Sequence, residues 1–152
     1  MNLQRNLICL SLVIGLSACA SYQEKPYTPV MRDFAISSSP AKAYDKAVDC
    51  ATRVISVPSV GQFFQYESSQ NQRFIVNYNF DFSGPWGLTS YKGRANFRVN
   101  VDGNHLHSEI TNPQYYIPSS NHPEQLRASW MIDNVTKTST EMLDMFGSCF
   151  NK

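Results

Sequence analysis

The sequence predicts one α+β domain, a two-layer antiparallel sheet of about five strands packed on two helices in the order β-α-β-β-β-β-α. Three observations lead there. Residues 73–82 (RFIVNYNFDF) alternate between two faces at every position, the period of a strand. Two separate segments repeat apolar residues at i, i+3, i+4 and i+7, the spacing of a helix with one buried stripe. Between these stretches lie Gly, Pro, Asn and Ser at the places where the chain must turn.

Residues 30–37 (VMRDFAIS) alternate and form a first strand. Ser39 and Pro40 then open a helix, the serine as N-cap and the proline in the first helical position, where its missing N–H costs nothing. Tyr44, Ala47, Val48, Ala51, Val54 and Ile55 make its apolar stripe, with Cys50 at the edge and Lys42, Asp45, Lys46, Asp49 and Arg53 opposite. The helix ends near Val57-Pro58, because the residue before proline is pushed away from helical angles. Residues 61–68 form a short strand with Phe64 and Tyr66 inward, and 69–72 turn. In the strand that follows, Phe74, Val76, Tyr78, Phe80 and Phe82 share one face. Residues 83–90 (SGPWGLTS) form a loop. Residues 91–102 alternate again, with Ala95, Phe97, Val99 and Val101 inward and Lys92, Arg94, Arg98 and Asn100 outward.

Asp102-Gly103-Asn104 marks a hairpin. Centring the turn on Gly103-Asn104 sets Arg98 opposite Glu109 and Phe97 opposite Ile110, a charge match and an apolar match that favour this register. The returning strand starts at His105 and ends by Asn112-Pro113. Residues 113–121 are irregular. The last helix begins around residues 121–123, where Asn121 and Glu124 have capping-box spacing and Pro123 suits the first turn. Leu126, Met131, Val135, Thr138, Met142, Phe146 and Cys149 form its apolar face. Residues 136–140 are poor helix formers, so a bent middle is expected, and Gly147 marks a candidate end.

The first residues have a different character. One charge, Arg5, precedes a ten-residue apolar run at 7–16 (LICLSLVIGL), followed by Ser17, Ala18 and Cys19. This is the layout of a secretory signal peptide, and the run falls short of the roughly 20 residues that span a bilayer. Leu16-Ser17-Ala18-Cys19 resembles the lipobox of bacterial lipoproteins. The resemblance implies cleavage before Cys19 and acyl chains on that cysteine. Stable anchoring takes more than one chain, since a single one binds only marginally. Ala20 after the cysteine differs from the Asp that resembles an inner-membrane retention signal in enteric bacteria. The expected place is therefore the outer membrane, periplasmic side. The chain then divides into signal peptide 1–18, lipidated cysteine and tether 19–29, and a domain at 30–152.

Removal of residues 1–18 leaves 12 basic and 12 acidic side chains, a balance that gives no reason to expect nucleic acid. Of four cysteines, Cys9 leaves with the signal and Cys19 is acylated. Cys50 and Cys149 remain, and in an oxidising compartment they are expected to bond to each other. They lack the Cys-x-x-Cys spacing of a redox pair.

The element order, together with the signal peptide, is similar to a bacterial lipoprotein family of unknown function with a TATA-binding-protein-like fold. That family supplies no active site to carry over. Similar layouts occur in outer-membrane assembly lipoproteins and in a lipopolysaccharide-transport lipoprotein, likenesses of fold alone.

Three groups of residues are candidates for a site. His105, His107 and Glu109 share one strand face and offer metal-ligand chemistry. Leu106 and Ile110 claim the opposite face for the core, however, so a solvated face accounts for the three without a metal. Lys92, Arg94 and Arg98 form a basic row, read either as solvated or as a contact for anionic lipid or glycan. Trp86, Tyr115 and Tyr116 lie on loops, either as contact residues or folded back over the end of the core. No nucleophile elbow or phosphate loop occurs, so no enzyme activity and no cofactor is expected. The sequence therefore points to a membrane-anchored, periplasm-facing module that binds an envelope protein. The alternative is a small-ligand binder with a cavity between sheet and helices, lined by Tyr66, Tyr78 and Phe97.

Overall fold

The alternation at residues 73–82 becomes the strand on which the rest of the sheet is laid. In a computed structural model that describes residues 25–56, 62–117 and 122–152, this strand, β3, spans Arg73–Ser83, and all five of its expected inward residues are buried. Around it stand β1 (Val30–Ala35), β2 (Phe64–Ser68), β4 (Ser90–Asp102), β5 (His105–Tyr116) and β6 (Pro123–Gln125). The helices are α1 (Pro40–Val54) and α2 (Ser129–Phe150), and a 3-10 turn covers Pro85–Gly87. The signal peptide, Cys19, residues 20–24, Val57, Pro58, Pro118 and Asn121 lie outside the described residues.

The sheet order is β1-β5-β4-β3-β2, antiparallel throughout, with β6 also paired to β5. Both helices pack on one face, giving the expected two layers. The core between the layers is aromatic. Phe97 stands edge-on to both Phe74 and Phe146, and Tyr44 from α1 meets Phe74 in the same manner. Such edge-to-face contacts add to the area term. The hairpin turns at Gly103-Asn104. Arg98 faces Glu109 and Phe97 faces Ile110, as the charge and apolar matching predicts. Gly103 has φ +56°, which glycine adopts without a side-chain clash.

A disulfide joins Cys50 to Cys149, tying the last turns of α1 and α2 across 99 residues. Closing a loop of that length restricts the unfolded chain by about 4–5 kcal/mol on the chain-entropy account.

Several local expectations are corrected. Pro40 does open α1, but Ser39 makes no side-chain cap bond, and its carbonyl accepts from the Ala43 N–H at 3.0 Å. The register between β2 and β3 shifts between Phe64 and Tyr66, so Phe64 pairs with inward Val76 while Tyr66 pairs with outward Ile75. A bulge moves every later side chain to the other face, and Tyr66 therefore points away from the core. Strand β5 does not stop at Asn112-Pro113. A bulge there sets two β5 residues opposite Ala95, with Asn112 at φ +50°, and pairing resumes from Gln114 to Tyr116. A proline is tolerated in a strand at such a bulge.

The last helix also starts later than expected. Residues 123–125 form β6, and α2 begins at Ser129. The stretch 136–140 is continuous helix, and within it the Thr138 and Thr140 hydroxyls donate to the carbonyls of Asn134 and Thr136 at 3.0 and 2.8 Å. Gly147 is a buried interior residue. A Cβ there would lie 2.7 Å from Phe34 Cε1, so glycine serves close packing of α2 on β1 and does not mark the helix end.

Candidate functional site

With both helices on one side, the other face of the sheet has no covering layer among the described residues. The outward residues of β4 in order are Lys92, Arg94, Asn96, Arg98 and Asn100. The basic row is thus real, and its members are differently held. Arg98 Nη1 meets Glu109 Oε1 at 3.5 Å, the cross-strand pair set by the hairpin register. Arg94 donates from Nε to Gln114 Oε1 at 3.2 Å, and its guanidinium lies 5.8 Å from the Tyr116 ring centre. Lys92 stands between Asp81 and Tyr116 in the ladder. In the middle of the face the Gln65 amide bonds to both Asn77 and Asn96.

His105, His107 and Glu109 share this face, as their spacing requires. They do not converge. His107 Nδ1 lies 2.6 Å from Asp33 Oδ1 on β1, Glu109 turns to Arg98, and the His105 ring stacks 6.2 Å from that of His107. Among the described residues no group of three His, Cys, Asp or Glu side chains is placed to hold a metal ion. A depression of about 490 Å³ lies here, lined in part by Met31, Asp33, Arg73, Arg98 and Glu109.

Tyr115 and Tyr116 are not loop residues. Both belong to β5, and the strand sends them to opposite faces. Tyr116 joins Arg94 outside. Tyr115 goes inward, edge-on to Tyr91, with its hydroxyl donating to Glu124 Oε2 at 3.2 Å. Tyr91 also meets Phe82 and Trp130, at 5.4 and 5.9 Å between ring centres. The inward tyrosine thus caps the end of the core and the outward one lies on the open surface. Trp86 lies in the 3-10 turn at the same end. Leu88 beside it is 83% exposed, more than any other large apolar residue described.

The N-terminal chain arrives at this same end. Lys25, within the expected tether, donates its backbone N–H to the Arg127 carbonyl at 3.2 Å and pairs with Asp133 at 2.7 Å. Tyr27 packs against the core, and its hydroxyl donates to the Ile110 carbonyl at 3.2 Å. Burial pushes the Tyr27 pKa up. Residues 25–29 thus belong physically to the domain. The signal missed in the sequence is Tyr27, an aromatic inside a segment otherwise read as polar.

The three residues proposed to line a ligand cavity are not brought together. Phe97 is fully buried, Tyr78 sits in the core with its hydroxyl toward the Thr138 carbonyl at 3.4 Å, and the β2 bulge puts Tyr66 on the far side of the sheet.

One open antiparallel sheet with two helices on a single face is an α+β fold, and likeness to solved structures supports a TBP-like fold. Among solved structures, the chain is similar to a DUF4468 family protein from Bacteroides ovatus, with TM-score 0.64 and 8% identity over 88% of this chain and 92% of that one. It is similar also to a TBP-like protein from Parabacteroides distasonis, with TM-score 0.59 and 8% identity over 82% and 92%. Likeness at that identity is likeness of fold. No family model matches the sequence, and no curated protein matches it.

Proposed function

We propose that the protein is a lipid-anchored lipoprotein of the bacterial envelope whose periplasm-facing domain works by binding another envelope protein, without catalysis. The lipobox-like Leu16-Ser17-Ala18-Cys19 supports the anchor, and the Cys50–Cys149 disulfide fits an oxidising compartment. No helix of the described residues is long and apolar enough to cross a membrane.

The observation that carries the binding role is the uncovered outer sheet face, whose side chains are already fastened to one another. Gln65 with Asn77 and Asn96, Arg94 with Gln114 and Tyr116, and Arg98 with Glu109 are held before any partner arrives. A surface ordered in advance loses less side-chain freedom on binding. Lys92 and Arg94 at one end give it a positive rim that suits an acidic patch on the partner.

A photo-crosslinking side chain at Asn96 in living cells tests this reading. The expected result is a discrete crosslinked product that disappears when Arg94 is changed to Glu. A face that yields no product, or one indifferent to Arg94→Glu, sinks it.

A further inference from the structure

We infer that the end of the domain carrying Leu88, Tyr91, Tyr116 and Trp130 rests on the phospholipid surface; this deepens the proposed function and rests on acylation of Cys19. The inference begins with length. From Cys19 to Lys25 is six residues of chain, which fully extended span at most about 20 Å. Lys25 is held to Arg127 and Asp133 at the start of α2, and Tyr27 locks the next turn of chain to the core. The lipid is therefore tied to one particular end of the molecule.

The opposite end cannot reach the membrane from there. β4 runs from Ser90, at the anchored end, to Asp102, beside the hairpin tip. Thirteen strand residues cover roughly 40 Å at about 3.3 Å each. Helix α2, with 22 residues, is about 33 Å long. Both exceed the reach of the tether. An orientation with the Gly103-Asn104 tip on the bilayer is excluded, and the anchored end must lie near the headgroups.

The chemistry of that end suits the place it must occupy. Trp130, Tyr91 and Tyr115 form a connected aromatic cluster, and Tyr116 stands outside it under Arg94. Tryptophan and tyrosine collect at the membrane interface because one part of each ring system is apolar and another is polar. Leu88 projects from the loop between β3 and β4 at 83% exposure, an apolar side chain that nothing in the domain covers. Arg127 is an exposed cation at the same end, placed to meet phosphate groups. The opposite end has the polar turn Asp102-Gly103-Asn104, and the apolar residue toward that side, Tyr66, is 42% exposed against 83% for Leu88.

The domain therefore stands on its aromatic end, and the outer sheet face rises away from the membrane, open to a partner from the side. The experiment uses the full chain expressed in bacteria with a single introduced cysteine, Leu88→Cys or Asn104→Cys. Both are labelled with an environment-sensitive fluorophore without reduction of the native disulfide. The purified protein is first weighed by mass spectrometry, then placed in vesicles of phosphatidylethanolamine and phosphatidylglycerol containing a bilayer-embedded nitroxide quencher. For an acylated product, quenching several-fold stronger at position 88 than at 104 is expected. Equal quenching, or stronger quenching at 104, overturns the orientation and leaves the anchor standing. A product with no acyl mass overturns the anchor and the orientation together. A third label at exposed Met145 on α2 guards against a domain lying on its helices, because quenching there that matches position 88 also overturns the proposal.

Discussion

The β4–β5 ladder has two halves built on different rules. From the hairpin to Phe97 and Ile110 it is regular, with each residue opposite its expected partner. Past Asn96 and Thr111 it breaks at a bulge, carries Pro113 within the strand and gains β6 as a third member. The regular half is held by large buried core residues, with Phe97 edge-on to Phe74 and Phe146. The irregular half is held by shape: a glycine makes room for a ring, a proline sits where no N–H is needed, and aromatic rings close the end. One half makes the domain stable, while the other sets which side chains appear at the end where Lys25 docks.

The largest effect that would sharpen this contrast is expected in the regular half. Phe97 is fully buried between Phe74 and Phe146, so Phe97→Ala leaves a cavity and should cost about 3–5 kcal/mol in denaturant unfolding. A loss under about 1 kcal/mol would show that this half is not the stable one.

Alkaline unfolding comes next. Burial, with Glu67 nearby, pushes the Tyr44 pKa up to about 12, and burial, with Glu141 nearby, does the same for Tyr78. Each is raised above its unfolded value of 10.0. Their contribution is therefore complete below about pH 10 and is lost as the pH rises through about 12, on the order of 2 kcal/mol for each. Tyr44 packs on Phe74 in the regular part of the sheet and Tyr78 on Phe80 toward the irregular part. Either Tyr→Phe change should shrink the loss between pH 10 and 12. A stability curve flat across that window would contradict the burial argument.

The smallest effect tests the irregular half directly. A Cβ at Gly93 would overlap the Phe80 ring, so Gly93→Ala should cost about 1–3 kcal/mol through overpacking. The same change should weaken quenching at position 88 if the ring displacement disturbs the aromatic end. An unchanged melting temperature would show that the fit at this glycine does not matter.

What could be read from the sequence divides along the same line. Strands β3 and β4 were legible because their alternation is uninterrupted, and the hairpin register followed from pairing Arg98 with Glu109 and Phe97 with Ile110. The basic row and the outward histidines followed from the same period. Tyr66 was misassigned because a bulge leaves no mark in a two-residue period. Pro113 places Tyr115 and Tyr116 on a loop in the sequence because proline ordinarily ends a strand, and only pairing with β4 and β6 shows that here it does not. The start of helix α2 is not legible because Asn121, Pro123 and Glu124 carry start signals that tertiary pairing of β6 overrides. Gly147 looked like a stop because glycine is common at helix ends, whereas its reason is Phe34, far away in sequence.

The docked segment at Lys25 and Tyr27 leads directly into β1, whose six residues pair with β5 with hydrogen bonds perpendicular to the strand. A pull on the chain before Lys25, as the proposed lipid anchor would exert, runs along that strand, so all six pairings resist simultaneously instead of unzipping singly. Should a partner tug the body outward, the first strand is gripped in shear, the direction in which a β-ladder yields least readily.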